Sequence, residues 1–380
     1  MSKLYAMQQD RPDTGRLLVN VSSMISSRAV SGATVQITDS NEPEDVIDEL
    51  STDSNGQTDT IDLPAPPLEY SLEPEAAQPY SVFNLKVTAP GFEPTVISGA
   101  EILSGQTALQ NISLIPQFET SNDNSVLYVI PPHTLYGDYP TKIPESEVKD
   151  VSETGEIVLS RVVIPEYVIV HDGPPSDSGA QNYYVKYKDY IKNVASSEIY
   201  ATWPEATLLA NILAIQSITL NRVYTEWYRN RGYDFTITSS TAYDQKFIPG
   251  RNIFESISQA VDTIFSNYIS RPNITQPLFT QYCDGKRVSC PRWMRQWESR
   301  ALGDQGYSAI EILRRFYGDS VFINSSEEIS GIPASWPGYD LTIGSTGEKV
   351  RQLQNQLNTI SKGYPLIPKI AADGVYGEDT

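Results

Sequence analysis

Tyr190-Ile-Lys-Asn-Val-Ala-Ser-Ser-Glu198-Ile-Tyr-Ala-Thr-Trp203-Pro-Glu205-Ala206 is the stretch on which the reading of this 380-residue chain turns. Tyr190, Ile191, Val194 and Ala195 recur at helical spacing behind Asp189, a residue type suited to capping, so a helix is predicted from about Lys188 to Glu198. Trp203-Pro204-Glu205 predicts a second start, with Pro in the first turn and a carboxylate at the positive end of the helix dipole. From Leu208 through Ile212, Ile215, Ile218 and Val223 to Trp227 that helix is apolar on nearly every side, which predicts burial. Two helices joined by a short aromatic break, the second of them central, place a core around position 210.

Outward from this pair, Val162-Val-Ile-Pro-Glu-Tyr-Val-Ile-Val170 predicts a β-branched strand leading into the turn His171-Asp-Gly-Pro-Pro175. A third, amphipathic helix is expected from Ile253 to Ile269 and a fourth from Ser308 to Tyr317, so 162–330 reads as one α+β domain. Residues 1–116 read as an all-β sandwich. Leu17-Leu-Val-Asn-Val21, Gly32-Ala-Thr-Val-Gln-Ile37, Val82 to Val87 and Ile112-Ser-Leu-Ile115 are strand-like, and Asp53-Ser-Asn-Gly56 supplies a tight turn. Between the two lies an extended, Pro-rich connector, 117–161, with strand-like pieces at Val126 to Ile130 and Ile157 to Leu159. A linker at 331–340 leads to a small helical tail, 341–380. The tail ends on Asp373-Gly-Val-Tyr-Gly-Glu-Asp-Thr380, where a further helix is expected to begin, so it reads as truncated. The expected class is multidomain: β-sandwich, α+β domain, helical module.

The net charge of −19 is concentrated in front: residues 1–160 carry 7 Lys+Arg against 24 Asp+Glu, and 161–380 carry 21 against 23. Nucleic acid repels such a front section, which argues against a nucleic-acid partner. No run of 18 apolar residues predicts a membrane span, and the first ten residues lack the apolar core of a conventional signal peptide. Only His133, His171, Cys283 and Cys290 offer His or Cys ligands, without the paired spacing of a zinc site, so no metal and no cofactor is expected. Neither His sits in a nucleophile context. Cys283 and Cys290 either close a small disulfide loop in an oxidising place or remain two free thiols.

Three resemblances refine this reading. Gly32-Ala-Thr-Val-Gln-Ile37, Thr52-Asp-Ser-Asn-Gly56 and Val87-Thr-Ala-Pro-Gly-Phe-Glu-Pro94 resemble the carboxypeptidase-regulatory, transthyretin-like domains. Ile343 to Asn358 with Asp373-Gly-Val-Tyr-Gly377 is similar to the peptidoglycan-binding domain 1 family, with Leu353 and Leu357 as core. The stretch from Tyr190 to Ala206, followed by Thr238-Ser-Ser-Thr241-Ala-Tyr-Asp-Gln245 and Ile312 to Gly318, resembles the SpoIID family of peptidoglycan lytic transglycosylases. With Val162 to Asp177, the Cys283–Cys290 loop and the tail, the chain from about 160 to 380 is similar to the clostridial spore cortex-lytic enzymes.

That last resemblance implies a precursor, stored in the spore cortex or coat region, that cleaves cortex glycan. Glu198 would be its acid. Val194, Ile199, Tyr200 and Trp203 flank it, and an apolar aromatic pocket would hold the carboxyl protonated near neutrality. A helix-end glutamate is more often a solvated cap, and the matching run around it turns the reading toward catalysis. Glu205 reads as a dipole-capping residue. Tyr243, Asp244 and Gln245 are candidate cleft walls, Lys286 and Arg287 candidate partners for stem-peptide carboxylates, and His171 with Asp172 reads as structural. Some SpoIID proteins bind zinc in the loop that here reads Ser240 to Gln245, where no His or Cys stands, so zinc is not carried over. The acidic front, ending in Leu159-Ser-Arg161 before Val162, is expected to be an inhibitory section removed by an activating protease. The competing reading is a structural or delivery protein, a phage-tail or wall adaptor, whose glycan domain only binds.

Overall fold

The computed structural model describes residues 13–117, 125–135, 139–149, 159–288, 290, 293–330, 341–361 and 368–380. The protein is a mixed α/β molecule with a β-rich N-terminal region. Its first eight strands are β1 (Asp13–Ser23), β2 (Thr34–Asp39), β3 (Glu42–Ser51), β4 (Ile61–Ala65), β5 (Tyr80–Thr88), β6 (Thr95–Leu103), β7 (Thr107–Leu114) and β8 (Val126–Val129). They form two sheets, β7-β1-β4 and β3-β2-β5-β6-β8. Alternation drives this packing: Leu17, Val19 and Val21 of β1 face Val35, Ile37, Leu85, Val87 and Ile97 of the other sheet, all essentially inaccessible. Five acidic residues of β3 (Glu42, Glu44, Asp45, Asp48, Glu49) lie on an exposed edge strand, where like charge discourages pairing with another chain. Five of the 24 acidic residues of 1–160 therefore sit at one rim.

The second half begins with β9 (Val163–Ile164), β10 (Tyr167–His171) and β11 (Asn182–Lys186). The single strand expected over Val162 to Val170 is two. Pro165 has no N–H to donate to a ladder, and the chain breaks there: β9 pairs with a later strand, Glu328–Ile329, while β10 pairs with β11 and with Ile237–Thr238. Helix α1 (Tyr187–Glu198) follows, then α2 (Glu205–Tyr224), the 20-residue axis of the domain, whose side chains are buried on almost every face. Next come β12 (Ile237–Thr238), β13 (Ile253–Phe254), α3 (Glu255–Ile264), β14 (Asn267–Ser270), β15 (Tyr282–Cys283) and β16 (Met294–Arg295). Helix α3 stops at Ile264, short of the expected Ile269, because Ile269 pairs instead with Ile323 across β14 and β17. Helix α4 (Gln296–Asp304) was not anticipated; its apolar residues are few, and it is held by close packing on α2, where Asn211 Nδ2 donates to Ser299 Oγ at 3.0 Å. Helix α5 (Ala309–Tyr317) carries a capping box between Ser308 and Glu311, and β17 (Phe322–Ser325) and β18 (Glu328–Ile329) close the domain.

The two halves are not beads on a string. β13 is the outer strand of the first sheet, antiparallel to β7, so the helical half completes the sandwich. Gly250, at φ +76°, lets the chain pass within contact of the Tyr128 ring; a Cβ there would lie 2.6 Å from it. The described part of the connector is packed rather than loose. Ile143 N–H donates to Ala242 O at 2.8 Å, Phe279 N–H to Glu147 O at 2.8 Å, and Glu145 and Glu147 pair with Arg222 and Arg271. Its Ile157 and the linker 331–340 lie outside the described residues. In the tail, α6 (Glu348–Ile360) is tied to the 370–376 loop by Gln354 and Asn358, whose amides bond main-chain groups of that loop. Leu353 and Leu357, expected as core, are half-buried; among the described side chains of the helix Val350 and Gln354 are buried, Gln354 because it faces the loop. Among the described residues no helix is long and apolar enough to cross a membrane.

Candidate active site

Helix α1 ends at Glu198, and the β-region backbone of Ile199 stops it there. This puts the carboxyl at the mouth of a pocket rather than along a helix face. The side chain is 8% exposed. Its Oε1 accepts the Lys246 backbone N–H at 2.7 Å, and its Oε2 has a single long contact, 3.4 Å, with Gln296 Nε2. Gln296 holds the Glu198 carbonyl more firmly, at 2.9 Å. The pocket is walled by Lys246 and Thr241 from one loop, by Tyr282, Cys283, Asp284 and Val288 from another, and by Leu135, Tyr139, Pro140 and Lys142 from the connector.

Apolar and aromatic groups do line the pocket, but they are Leu135, Tyr139, Pro140, Tyr282 and Val288 rather than the Val194, Ile199, Tyr200 and Trp203 of the sequence reading. Two lysines line the same pocket, and Lys142 Nζ donates to Asp244 O at 3.1 Å. Burial lowers the pKa of Lys142, with Glu198 and Asp244 working against that shift; burial and the nearby Arg251 lower that of Lys246, with Glu198 again opposing. Lys142 lies 4.8 Å over the Tyr282 ring and Lys246 5.4 Å over the Tyr139 ring. Burial, helped by the Glu198 charge, pushes the Tyr139 hydroxyl up to about 12, so it stays a donor, and it donates to Thr134 O. Tyr200 and Trp203 point elsewhere, into an aromatic cluster with Trp297.

The other expected wall residues sort into different roles. Asp244 is fully buried and saturated: Arg222 Nε donates to it at 2.6 Å, Tyr228 OH at 2.6 Å, and Thr238 Oγ1 and N–H at 2.7 and 3.0 Å. It anchors the loop to α2 and does not face the pocket. Gln245 is equally buried, bonded to Tyr190, Thr219, Tyr282 and Ile215. Tyr243 is half-buried and gives only its carbonyl to Arg222. The reason is local: Asp244 and Gln245 meet polar groups of α1 and α2 only after the loop folds back, leaving Thr241 and Lys246 on the open side. Lys286 and Arg287 are exposed and do not line the pocket; Asp284, unmarked in the sequence, does. Its carboxylate is taken by the backbone N–H groups of Lys286, Arg287 and Val288 and so shapes the loop. Cys283 and Cys290 are joined by a disulfide that closes the same loop.

Glu205 is exposed in the first turn of α2, outside the pocket. His171 stacks on Phe235 at 4.4 Å and meets Asn182 Oδ1 at 2.8 Å, and Asp172 accepts from Ser239, both structural contacts. Arg161 is 69% exposed and pairs with Glu328 at 2.7 Å, while Val162 is buried and its carbonyl accepts from Ser326. Among the described residues no three His, Cys, Asp or Glu side chains converge as metal ligands. The loop Ser240 to Gln245 has no zinc-binding side chain besides Asp244, which Arg222 occupies, so the residues present do not fit a zinc ion.

No family model matches the chain, and no curated protein matches it. Several solved structures are similar to parts of it. The TIE protein of Bacillus anthracis is 15% identical over 27% of this chain and 17% of its own, with a TM-score of 0.20. The minor pilin GBS52 of Streptococcus agalactiae is 16% identical over 29% of this chain and 48% of its own, at 0.21. Wild-type catechol 1,2-dioxygenase of Acinetobacter radioresistens is 15% identical over 32% of this chain and 59% of its own, at 0.20. The chain thus spans less than two thirds of each of these proteins, and likenesses at this level assign neither family nor activity.

Proposed function

We propose that the chain is the precursor of a peptidoglycan lytic transglycosylase of the SpoIID type, akin to the SleC cortex-lytic enzymes and acting on spore cortex glycan during germination. The observation that carries this reading is Glu198: in its pocket it is the carboxyl with an oxygen, Oε2, held only by a long 3.4 Å amide contact, whereas Asp284 is committed to its loop. The Lys246 N–H fixes Oε1 and leaves Oε2 toward the pocket. The protonated carboxyl gives its proton to the glycosidic oxygen as the bond to the anomeric carbon breaks. The resulting carboxylate then takes the proton of the muramic C6 hydroxyl, whose oxygen closes on that carbon. The product is a 1,6-anhydro end, and Glu198 is restored as the acid. One carboxyl suffices, since no water attacks and no second base is needed, in contrast to two-carboxylate hydrolysis.

The precursor reading is supported by the connector, whose Leu135, Tyr139, Pro140 and Lys142 form one wall of the pocket a glycan strand must enter. An activating protease cutting at the exposed Ser160-Arg161 pair would free that wall while leaving the paired β9 in place. The adaptor reading is favoured by one feature, the sharing of a sheet between β13 and β7, which suits a sandwich that stays. Incubation of cut and uncut chain with purified cortex fragments separates them: the proposal expects anhydro-muramic ends from the cut chain alone, and their absence from both contradicts it.

A further inference from the structure

Around Glu198 the helical half presents a row of buried donors, several of whose acceptors come from the N-terminal section. Trp203 Nε1 donates to Ser71 O at 3.0 Å, and Trp297 Nε1 to Leu135 O at 2.9 Å. Arg251 donates through NH2 to Glu101 Oε2 at 2.5 Å and through NH1 to Oε1 at 3.3 Å, while its Nε is held within its own half by Ser196 O at 3.0 Å. Tyr200 packs edge-on against both indoles, 6.0 Å from Trp203 and 6.2 Å from Trp297, and the indole rings touch each other at 5.1 Å. These groups are contiguous with the pocket. Ser196 and Tyr200 flank Glu198 by two residues on either side, Trp297 follows the Gln296 that grips Glu198, and Leu135 lines both places.

Besides the His133 Nδ1 that Arg251 also meets at 3.1 Å, the borrowed acceptors are two amide carbonyl oxygens and one carboxylate, set against an aromatic floor. An N-acetylated glycan bearing acidic substituents offers the same set: acetamido carbonyls, a carboxylate and apolar sugar faces. We infer that Tyr200, Trp203, Trp297 and Arg251 form a glycan-binding surface that the N-terminal section occupies by imitation, Ser71 O and Leu135 O standing in for acetamido oxygens and Glu101 for a muramic or stem-peptide carboxylate. The inference rests on the function proposed above and extends it by naming where the strand lies. Because Ser196 keeps Arg251 oriented, its NH1/NH2 fork is ready to take a carboxylate once Glu101 leaves.

The test uses the full chain in a Glu198→Gln background, with a specific protease site inserted between Ser160 and Arg161. Binding is read by intrinsic tryptophan fluorescence with two probes, a neutral N-acetylglucosamine tetramer and a muramic-acid-containing tetrasaccharide. The cut chain is expected to bind both, and the glycan to displace the N-terminal fragment on gel filtration. Trp203→Phe and Trp297→Phe, which keep a ring and lose the donor, are expected to weaken both probes by about fivefold. Arg251→Gln is expected to weaken the acidic probe by ~10-fold or more and to leave the neutral one unchanged, a split that a merely structural role would not produce. Unaltered affinities in all three variants, or glycan and N-terminal fragment bound together, overturn the inference. Anhydro-end release is scored separately on the cut chain with Glu198 intact. Its absence, with probe binding retained, removes the catalytic reading and leaves the surface.

Discussion

Glu198 and Asp244 are two buried carboxylates on neighbouring segments, and they differ in what is left to do. Asp244 receives the Arg222 guanidinium, a phenol, a hydroxyl and a backbone N–H. Glu198 receives one backbone N–H and one long amide contact, and opens on a pocket. Burial alone therefore does not mark a reacting group. A carboxylate whose acceptor capacity is filled holds structure together, and one with an oxygen to spare can hand over a proton.

The sharpest way to break this comparison is Asp244→Asn. Arg222 is raised further above its usual range chiefly because Asp244 and Glu145 outweigh its burial, so removing the Asp244 charge leaves a buried cation short of a partner. The expected cost is ~3–5 kcal/mol in denaturant unfolding, against less than about 1 kcal/mol for Glu198→Gln. Equal costs would erase the distinction.

A second test addresses the junction, where Arg251, Glu101 and His133 meet. Burial holds the His133 pKa down at about 4, against 6.5 in an unfolded chain, and Arg251 donates toward its Nδ1 at 3.1 Å. Between these values the unfolded chain carries a proton that the folded chain does not, so stability falls as pH drops from about 6.5 to about 4, by up to ~3 kcal/mol. Burial opposes the Glu101 charge, yet Arg251 and His133 hold its carboxyl below the usual range, which adds to the acid loss below its unfolded value of 4.5. His133→Gln is expected to flatten the melting curve between pH 6.5 and 4.5; an unchanged pH slope would place the sensitivity elsewhere. The smallest expected effect is that of a chelator. The cysteines are bonded to one another and both histidines are engaged in packing, so chelation should leave glycan cleavage unchanged, and a stoichiometric metal lost together with activity would contradict this.

Much of the architecture was legible because periodicity and punctuation are local. Pro204 after Trp203 marks the start of α2, apolar residues on all its faces mark its burial, and Ser308 with Glu311 marks α5. What was not legible depended on distant partners. Pro165 splits a run that looks continuous, Ile269 leaves a helical pattern for a strand, and Gln296 to Asp304 becomes a helix chiefly through its contacts with α2. At the site, Glu198 stood out through the run around it, Tyr190 to Ala206, because its helix-end place alone reads as a cap. Its lysines did not: Lys142 lies 56 positions away in a connector that reads as a spacer, and Lys246 looks like a surface residue until Asp244 and Gln245 turn inward. The residue beside a structural group inherited its neighbour's label.

The central claim is that Glu198 alone moves the protons of cleavage, and the direct measurement is product analysis on cortex glycan with the chain cut at Ser160-Arg161. The cut wild-type chain is expected to yield anhydro-muramic ends, and Glu198→Gln to lower their rate by ~10²–10⁴-fold while wall binding and the unfolding midpoint hold. Substantial release of anhydro ends by Glu198→Gln, or a product with ordinary reducing ends from the cut wild-type chain, would contradict the account.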